Sequence, residues 1–441
     1  MILKIVYGLI ALGLVVFIHE AGHFIAARLS GVAVETFSIG WGPVLFRKKR
    51  GNTEYRLSAL PLGGYCGMRG ENAFRDALER NLAAIPREEG GFYSAHPLKR
   101  VAIAFAGPFA NLLFAVLALA LVSAIGFSYR SFDNRVVLAS RYDGGSNPAD
   151  AAGLSEGDRV VALAGKKVAT FSDIQEIIAT NPEKSLALEY ERDGEVVSTI
   201  VVPRLDRKTG AGRIGIYPYI PLVVASVKRG SAAETAGLRP GDEITAVNGV
   251  PVSHYLQFTH ALKDRPAEAV VTVNRGGLSR DEKLVLLYPE SGAIETGIDW
   301  EAETVVVPGT GLFGSVRYGI LETGRMIALT AKSVALLFRG VDLTEAVSGP
   351  VRITVMIGEV AKTGFSGLAE LLSVICVSLF LMNLLPIPVL DGGIILTALI
   401  EFAMRKPLKP KTLYYAQFVG MGFILVVFIL ALFSDVHFLM K

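Results

Sequence analysis

The sequence predicts a polytopic α-helical membrane protein, with about four transmembrane helices and two tandem α+β domains between the second and third. Three observations carry this. Four stretches, about 5–27, 101–126, 368–390 and 416–433, are long and apolar enough to span a bilayer. The intervening region is of mixed composition and repeats itself, residue 152 recurring at residue 236, an offset of 84. The 441 residues are 51% hydrophobic with mean hydropathy +0.45, too apolar for an ordinary soluble chain and well short of all-membrane.

The first span opens on a run, Ile5 to Ile18, without a charged residue, and then reads His19-Glu20-Ala21-Gly22-His23. Positions i and i+4 share a helix face, so His19 and His23 can offer two imidazole nitrogens to one zinc ion. Glu20 beside them is placed to deprotonate a bound water. Ionisable groups in an apolar span cost about 2.5 kcal/mol or more each at mid-membrane, so they mark function. A hydrolytic centre embedded in lipid implies a substrate embedded in lipid. The run lacks a small-x-small cleavage site and carries the motif itself, so it reads as a retained span and not as a cleaved leader.

The loop after the first span holds Arg47-Lys48-Lys49-Arg50, Arg56, Arg69, Arg75 and Lys99-Arg100; the loop after the third holds Arg405, Lys406, Lys409 and Lys411. By the positive-inside rule both are cytoplasmic, which puts the termini and the repeated domains on the far side. The net charge of +3 is small and its basic residues flank apolar segments, so nothing supports nucleic-acid binding. Two distant cysteines, Cys66 and Cys376, exclude a disulfide framework.

In the repeat, Ala152-Gly153-Leu154-Ser155-Glu156-Gly157-Asp158 aligns with Ala236-Gly237-Leu238-Arg239-Pro240-Gly241-Asp242. Each copy continues as an alternating apolar strand, a glycine turn and a helix-period segment, Phe171 to Ile178 and Tyr255 to Leu262. The pattern resembles the PDZ domains of bacterial envelope proteases, which capture peptide C-termini by strand addition. Gly311 to Phe338 follows as an amphipathic segment with Arg317, Arg325, Lys332 and Arg339, expected at the membrane surface.

Zinc held by two histidines needs a third protein ligand and an open position. Asp391 is the acid of Asn383-Leu384-Leu385-Pro386-Ile387-Pro388-Val389-Leu390-Asp391-Gly392, which closes the third apolar span at a depth matching His23. His96, His254, His260 and His437 are expected to be exposed or packed.

HExxH on the first span, NxxPxPxLDG on the third and tandem PDZ-like repeats between them together resemble the site-2 protease family of intramembrane zinc metalloproteases, over the whole chain. The resemblance implies Zn2+ on His19, His23 and Asp391, with Glu20 as catalytic base. It implies substrate-backbone contacts from Asn383, beside the motif prolines Pro386 and Pro388. It matches Gly107-Pro108-Phe109-Ala110-Asn111 to a GPxxN motif whose asparagine, Asn111, supports the site, and Tyr55 to Met68, with Gly63, Gly64 and Tyr65, to a membrane-associated β-hairpin that adds a strand to substrate. The implied partners are membrane lipid and single-pass membrane proteins, such as an anti-sigma factor stub left by a first protease, and signal-peptide remnants. The implied place is a bacterial inner membrane, with termini and PDZ-like domains periplasmic and the active site near the cytoplasmic side. The expected boundaries are 1–30 for the first span, 31–99 for the cytoplasmic loop and hairpin, 100–127 for the second span, 128–221 and 222–308 for the PDZ-like domains, 309–364 for juxtamembrane helices, 365–393 for the third span, 394–414 for a cytoplasmic loop and 415–441 for the fourth span and C-terminus. A membrane scaffold with a degenerate site is a rival reading, disfavoured because every core residue is present. A metal transporter is another, but it would need a path of intramembrane acids that the spans lack.

Overall fold

The computed structural model describes residues 2–207, 209–286, 288, 294–337, 349–361 and 364–440. They divide into two compact units, residues 1–127 with 308–440, and residues 128–307.

The first unit holds the four helices apolar and long enough to cross a membrane: the first span (Ile2–Leu29), the second (Pro97–Ile125), the third (Phe365–Asn383) and the fourth (Pro410–Met440). The second span is the hub, packed on the first, on the third, and on the helices Leu312–Leu337 and Asp391–Met404. It starts cleanly because Pro97 takes the first helical position, where its missing N–H is not needed. It stops at Gly126, whose φ of +81° continues no helix. Ala11, Val15, Ala115, Leu119, Met326, Ile357, Leu372, Cys376 and Val377 form the buried seam of this bundle. Lipid tails are as apolar as leucine, so such a seam gains from close packing more than from leaving water.

Two expectations are corrected here. The third helix ends at Asn383, and Asp391 opens a separate helix, Asp391–Met404, that fills most of the expected cytoplasmic loop 394–414. Pro386 and Pro388 cannot continue a helix, whereas Ile394 to Met404 is apolar enough to pack on the second span. The amphipathic segment forms the helix Leu312–Leu337, which buries Ser315, Thr323 and Met326 within the bundle and does not lie free on a surface. Its small and hydroxylated residues let it approach the second span closely. Phe338 and Arg339 lie outside the described residues.

Between the first two spans the chain forms a long hairpin, β1 (Val34–Arg50) and β2 (Thr53–Met68), larger than the expected Tyr55 to Met68. It curls on itself. Residues 36–39 pair with both 54–57 and 64–67, while Phe46–Arg50 pairs with Thr53–Leu57. The 64–67 stretch therefore lies at the rim, and it packs against the first span.

The second unit contains two modules of matching topology. In the first, Lys166–Lys167, Arg159–Leu163, Leu186–Arg192 and Glu195–Val201 form a four-stranded sheet in that order, with the helix Phe171–Ala179 capped by Thr170 and Asp173. In the second, Val250–Pro251, Glu243–Val247, Glu268–Arg275 and Leu278–Val285 repeat the order, with the helix Tyr255–Ala261. Each has its own apolar core, around Val160, Leu163 and Ile174, and around Ile244, Val247 and Phe258. The Gly-Asp of the repeat has a structural reason. Asp158 and Asp242 are buried, each accepting two hydrogen bonds from one arginine: Arg192 at 2.8 and 2.7 Å, and Arg275 at 2.6 and 2.7 Å. The strands Phe127–Ser131 and Glu303–Val307 pair, so the chain enters and leaves this unit side by side.

Candidate metal centre

His19 and His23 sit one turn apart on the first span, with their Nε2 atoms 3.2 Å from each other. Asp391, first residue of its helix, places Oδ2 at 3.3 Å from His19 Nε2 and Oδ1 at 3.3 Å from His23 Nε2. Two ligand atoms about 2.05 Å from a tetrahedral ion stand about 3.3 Å apart, the spacing of the two imidazole nitrogens from each other and of each from its own Asp391 oxygen. Among the described residues it is the one group of histidine, cysteine and acidic side chains found close enough to share an ion.

The rings are held for that task. His23 Nδ1–H donates to the Ile103 carbonyl at 2.8 Å, which leaves the Nε2 lone pair for a metal. Ile103 belongs to the second span, five residues before Pro108, the one proline inside that helix. Gly107 is there for space: a Cβ on it would fall inside contact distance of the His23 imidazole. The Asn111 carboxamide, fully buried on the same helix, stands 3.4 Å from His19 Nδ1. Its Oδ1 has no partner; turned through 180° the amide would accept His19 Nδ1–H, satisfying that oxygen and freeing His19 Nε2 as a lone-pair donor.

Asp391 is aimed by a strained loop. Val389 has φ +108°, a region that costs a β-branched residue on the order of 1–3 kcal/mol. The loop is pinned from outside, where the Pro388 carbonyl lies against Gly420 of the fourth span.

Glu20 shares with the three donors a cavity of about 350 Å³, also lined by Gly64, Tyr65, Asn383 and Val389. The Glu20 carboxylate accepts a hydrogen bond from the Cys66 backbone N–H. Gly64 lies close enough that a Cβ there would be 3.0 Å from Glu20 Cγ.

Of the residues singled out from sequence, His19, Glu20, His23, Asn383, Gly64, Tyr65 and Asp391 meet at this cavity, and Asn111 backs it. Gly63, Pro386 and Pro388 do not line it. Gly63 packs on the Trp41 indole, and the prolines shape the loop before Asp391. Ile103 was missed, because a backbone acceptor leaves no trace in residue identity. His254, buried in the second module, bonds the Glu156 carboxylate and takes no part here.

Residues 7–427 match Peptidase family M50. A putative zinc metalloprotease of Treponema pallidum (strain Nichols) is 50% identical over 447 residues, covering 99% of both chains. Regulator of sigma-E protease RseP of Salmonella typhimurium (strain 14028s / SGSC 2262) is 30% identical over 454 residues, covering 97% of both. Among solved structures, the PDZ domain of an SdrC-like protein from Listeria monocytogenes aligns with 19% of this chain and 90% of its own, at 21% identity and TM-score 0.17.

Proposed function

The chain belongs to Peptidase family M50 and is a zinc metalloprotease of the membrane-embedded, site-2 type, and from that premise we propose that it cleaves the transmembrane segments of single-pass membrane proteins. The observation that carries this reading is the convergence of His19, His23 and Asp391 with Glu20 in a cavity flanked by apolar spans and bordered by the rim of a hairpin.

A zinc ion on His19, His23 and Asp391 would polarise the scissile carbonyl and bring the pKa of a bound water down to about 7. Glu20 accepts the water's proton and returns it to the departing amine. Asn111 and the Ile103 carbonyl hold the two imidazoles in the tautomers that face inward. A transmembrane helix shields its carbonyls with its own hydrogen bonds, and unpaired backbone groups in lipid cost several kcal/mol each. The 64–67 rim offers a replacement ladder beside Glu20, and the Asn383 carboxamide can bond a displaced backbone group from the opposite side. The hairpin suits a place at the membrane surface, because Trp41, Leu45 and Phe46 are exposed beside Arg47-Lys48-Lys49-Arg50.

The basic loops favour an inner-membrane orientation with the zinc site toward the cytoplasm and residues 128–307 in the periplasm. There the two PDZ-like modules act as a filter, admitting stubs left by a first protease and excluding intact external domains, with peptide C-termini as candidate ligands. An anti-sigma factor stub and signal-peptide remnants fit this filter, and release of the former would report envelope stress, in keeping with the sigma-E regulator relative. The test is cleavage of a single-span stub by the purified chain in detergent, with products sized by mass spectrometry. A new terminus inside the apolar segment is expected. Cleavage confined to soluble flanks would refute intramembrane proteolysis.

A further inference from the structure

A second cavity lies apart from the zinc site, where the second span begins and the Asp391–Met404 helix ends. Its volume is about 1040 Å³, and its lining includes Arg87, His96, Arg100, Glu401, Arg405 and Lys406. Four cations thus face one acid. That acid is already used: Glu401 pairs with Arg100 through one oxygen and accepts the Leu408 N–H at 2.9 Å through the other. Arg100 and Glu401 are each 7% exposed, yet Arg100 Nε is buried without a hydrogen-bond partner. Among the described residues no ion pair engages Arg87, Arg405 or Lys406.

A buried guanidinium N–H without an acceptor forfeits the hydrogen bond it made to water, so the arrangement asks for one more anionic oxygen. The N-terminus of the 29-residue second span adds its positive dipole end to the same cavity through His96 and Pro97. His96 accepts the Leu98 N–H on Nδ1, which leaves Nε2–H to donate. The walls include Ile85, Phe402 and Leu408, apolar surface of the kind that acyl chains cover. Both helices are apolar elements with an end at this point, and apolar helices that cross a bilayer end near its phosphate headgroups.

We propose that this cavity binds an anionic phosphate group, held by Arg100 Nε, Arg87, Arg405 and Lys406. An acidic phospholipid headgroup or free phosphate supplies the same chemistry. Occupancy ties together two elements of the zinc site. Arg100 precedes by three residues Ile103, which orients His23, and Glu401 lies on the helix that begins at Asp391.

The test uses the full-length chain in neutral detergent, titrated with phosphatidylglycerol, with phosphatidylcholine, or with inorganic phosphate against chloride at equal ionic strength. Bound lipid is counted by native mass spectrometry, and thermal unfolding is followed in parallel. The variant Arg87→Ser/Arg405→Ser/Lys406→Ser changes exposed side chains only. Arg47→Ser/Lys48→Ser/Lys49→Ser removes the same charge from the hairpin and serves as control. Expected is retention of phosphatidylglycerol over phosphatidylcholine, weakened at least about tenfold by the cavity variant and little by the control. A shift with inorganic phosphate alone, lost in the same variant, would support the site with free phosphate as its source. Equal retention of both lipids with no phosphate shift, or equal losses in both variants, would overturn it.

Discussion

At the residue scale, the reaction depends on which nitrogen of each imidazole is free. His23 is fixed by the Ile103 carbonyl, and His19 by Asn111 with its amide turned to present Oδ1. Partners of this kind are typically worth 10–100-fold in metal affinity or activity. Asn111→Ala should therefore weaken zinc affinity by about that factor, measured by competition with a chromogenic chelator; unchanged affinity would remove Asn111 from the account. Gly107→Val should cost zinc outright, since its side chain would occupy the His23 ring position, and metal analysis of the purified variant checks it. His19, Glu20, His23 and Asp391 were legible because a metal needs particular side chains at particular spacings. Asn111 was legible as a supporting residue through its motif, but the Ile103 carbonyl was not, because its role arises only when two helices touch.

At the scale of elements, the rim of the hairpin is the part of the site we propose that substrate meets. A branched side chain at Gly64 would press on the Ser38 carbonyl, Val16 and Glu20. Gly64→Val should lower cleavage by tenfold or more, a loss of about 1.4 kcal/mol, with zinc content unchanged. The apolar run that ends near residue 390 could not tell one long span from a helix, a strained loop and a second helix. Prolines 386 and 388 marked a break, but packing on the second span decided that Ile394 to Met404 continues as helix. In the repeats, sequence alignment found the glycine turns and buried aspartates. Arg192 and Arg275 escaped it because they lie 34 and 33 residues beyond Asp158 and Asp242, so the copies slip by one. The Arg275 hydrogen bonds hold the Asp242 carboxyl below its ordinary value of 3.8. A depressed carboxyl stabilises the fold above the unfolded value and loses that contribution as pH falls through the folded one. The second module should hence loosen below about pH 4, read by hydrogen exchange. Asp242→Ala should cost that module about 1.5–3 kcal/mol at neutral pH, the scale of charged hydrogen bonds.

At the scale of the whole molecule, a membrane-embedded unit carries the chemistry and a separate unit of two modules carries none of its groups. The chain passes to that second unit and back through paired strands, so a short linker can replace residues 128–307. The shortened chain should keep its zinc and accept a single-span substrate whose external domain is intact. If it discriminates as before, the filter lies elsewhere. Four spans and a duplicated insert were readable from hydropathy and repetition. The central position of the second span was not, because its neighbours come from distant parts of the chain.

The most direct measurement compares the purified chain with Glu20→Gln, scoring zinc per chain and cleavage of a single-span stub on the same preparations. One zinc per chain in both, with cleavage by the unaltered chain alone, is predicted. Cleavage by Glu20→Gln, or zinc retained after His19→Ala/His23→Ala, would contradict the assignment of base and ligands.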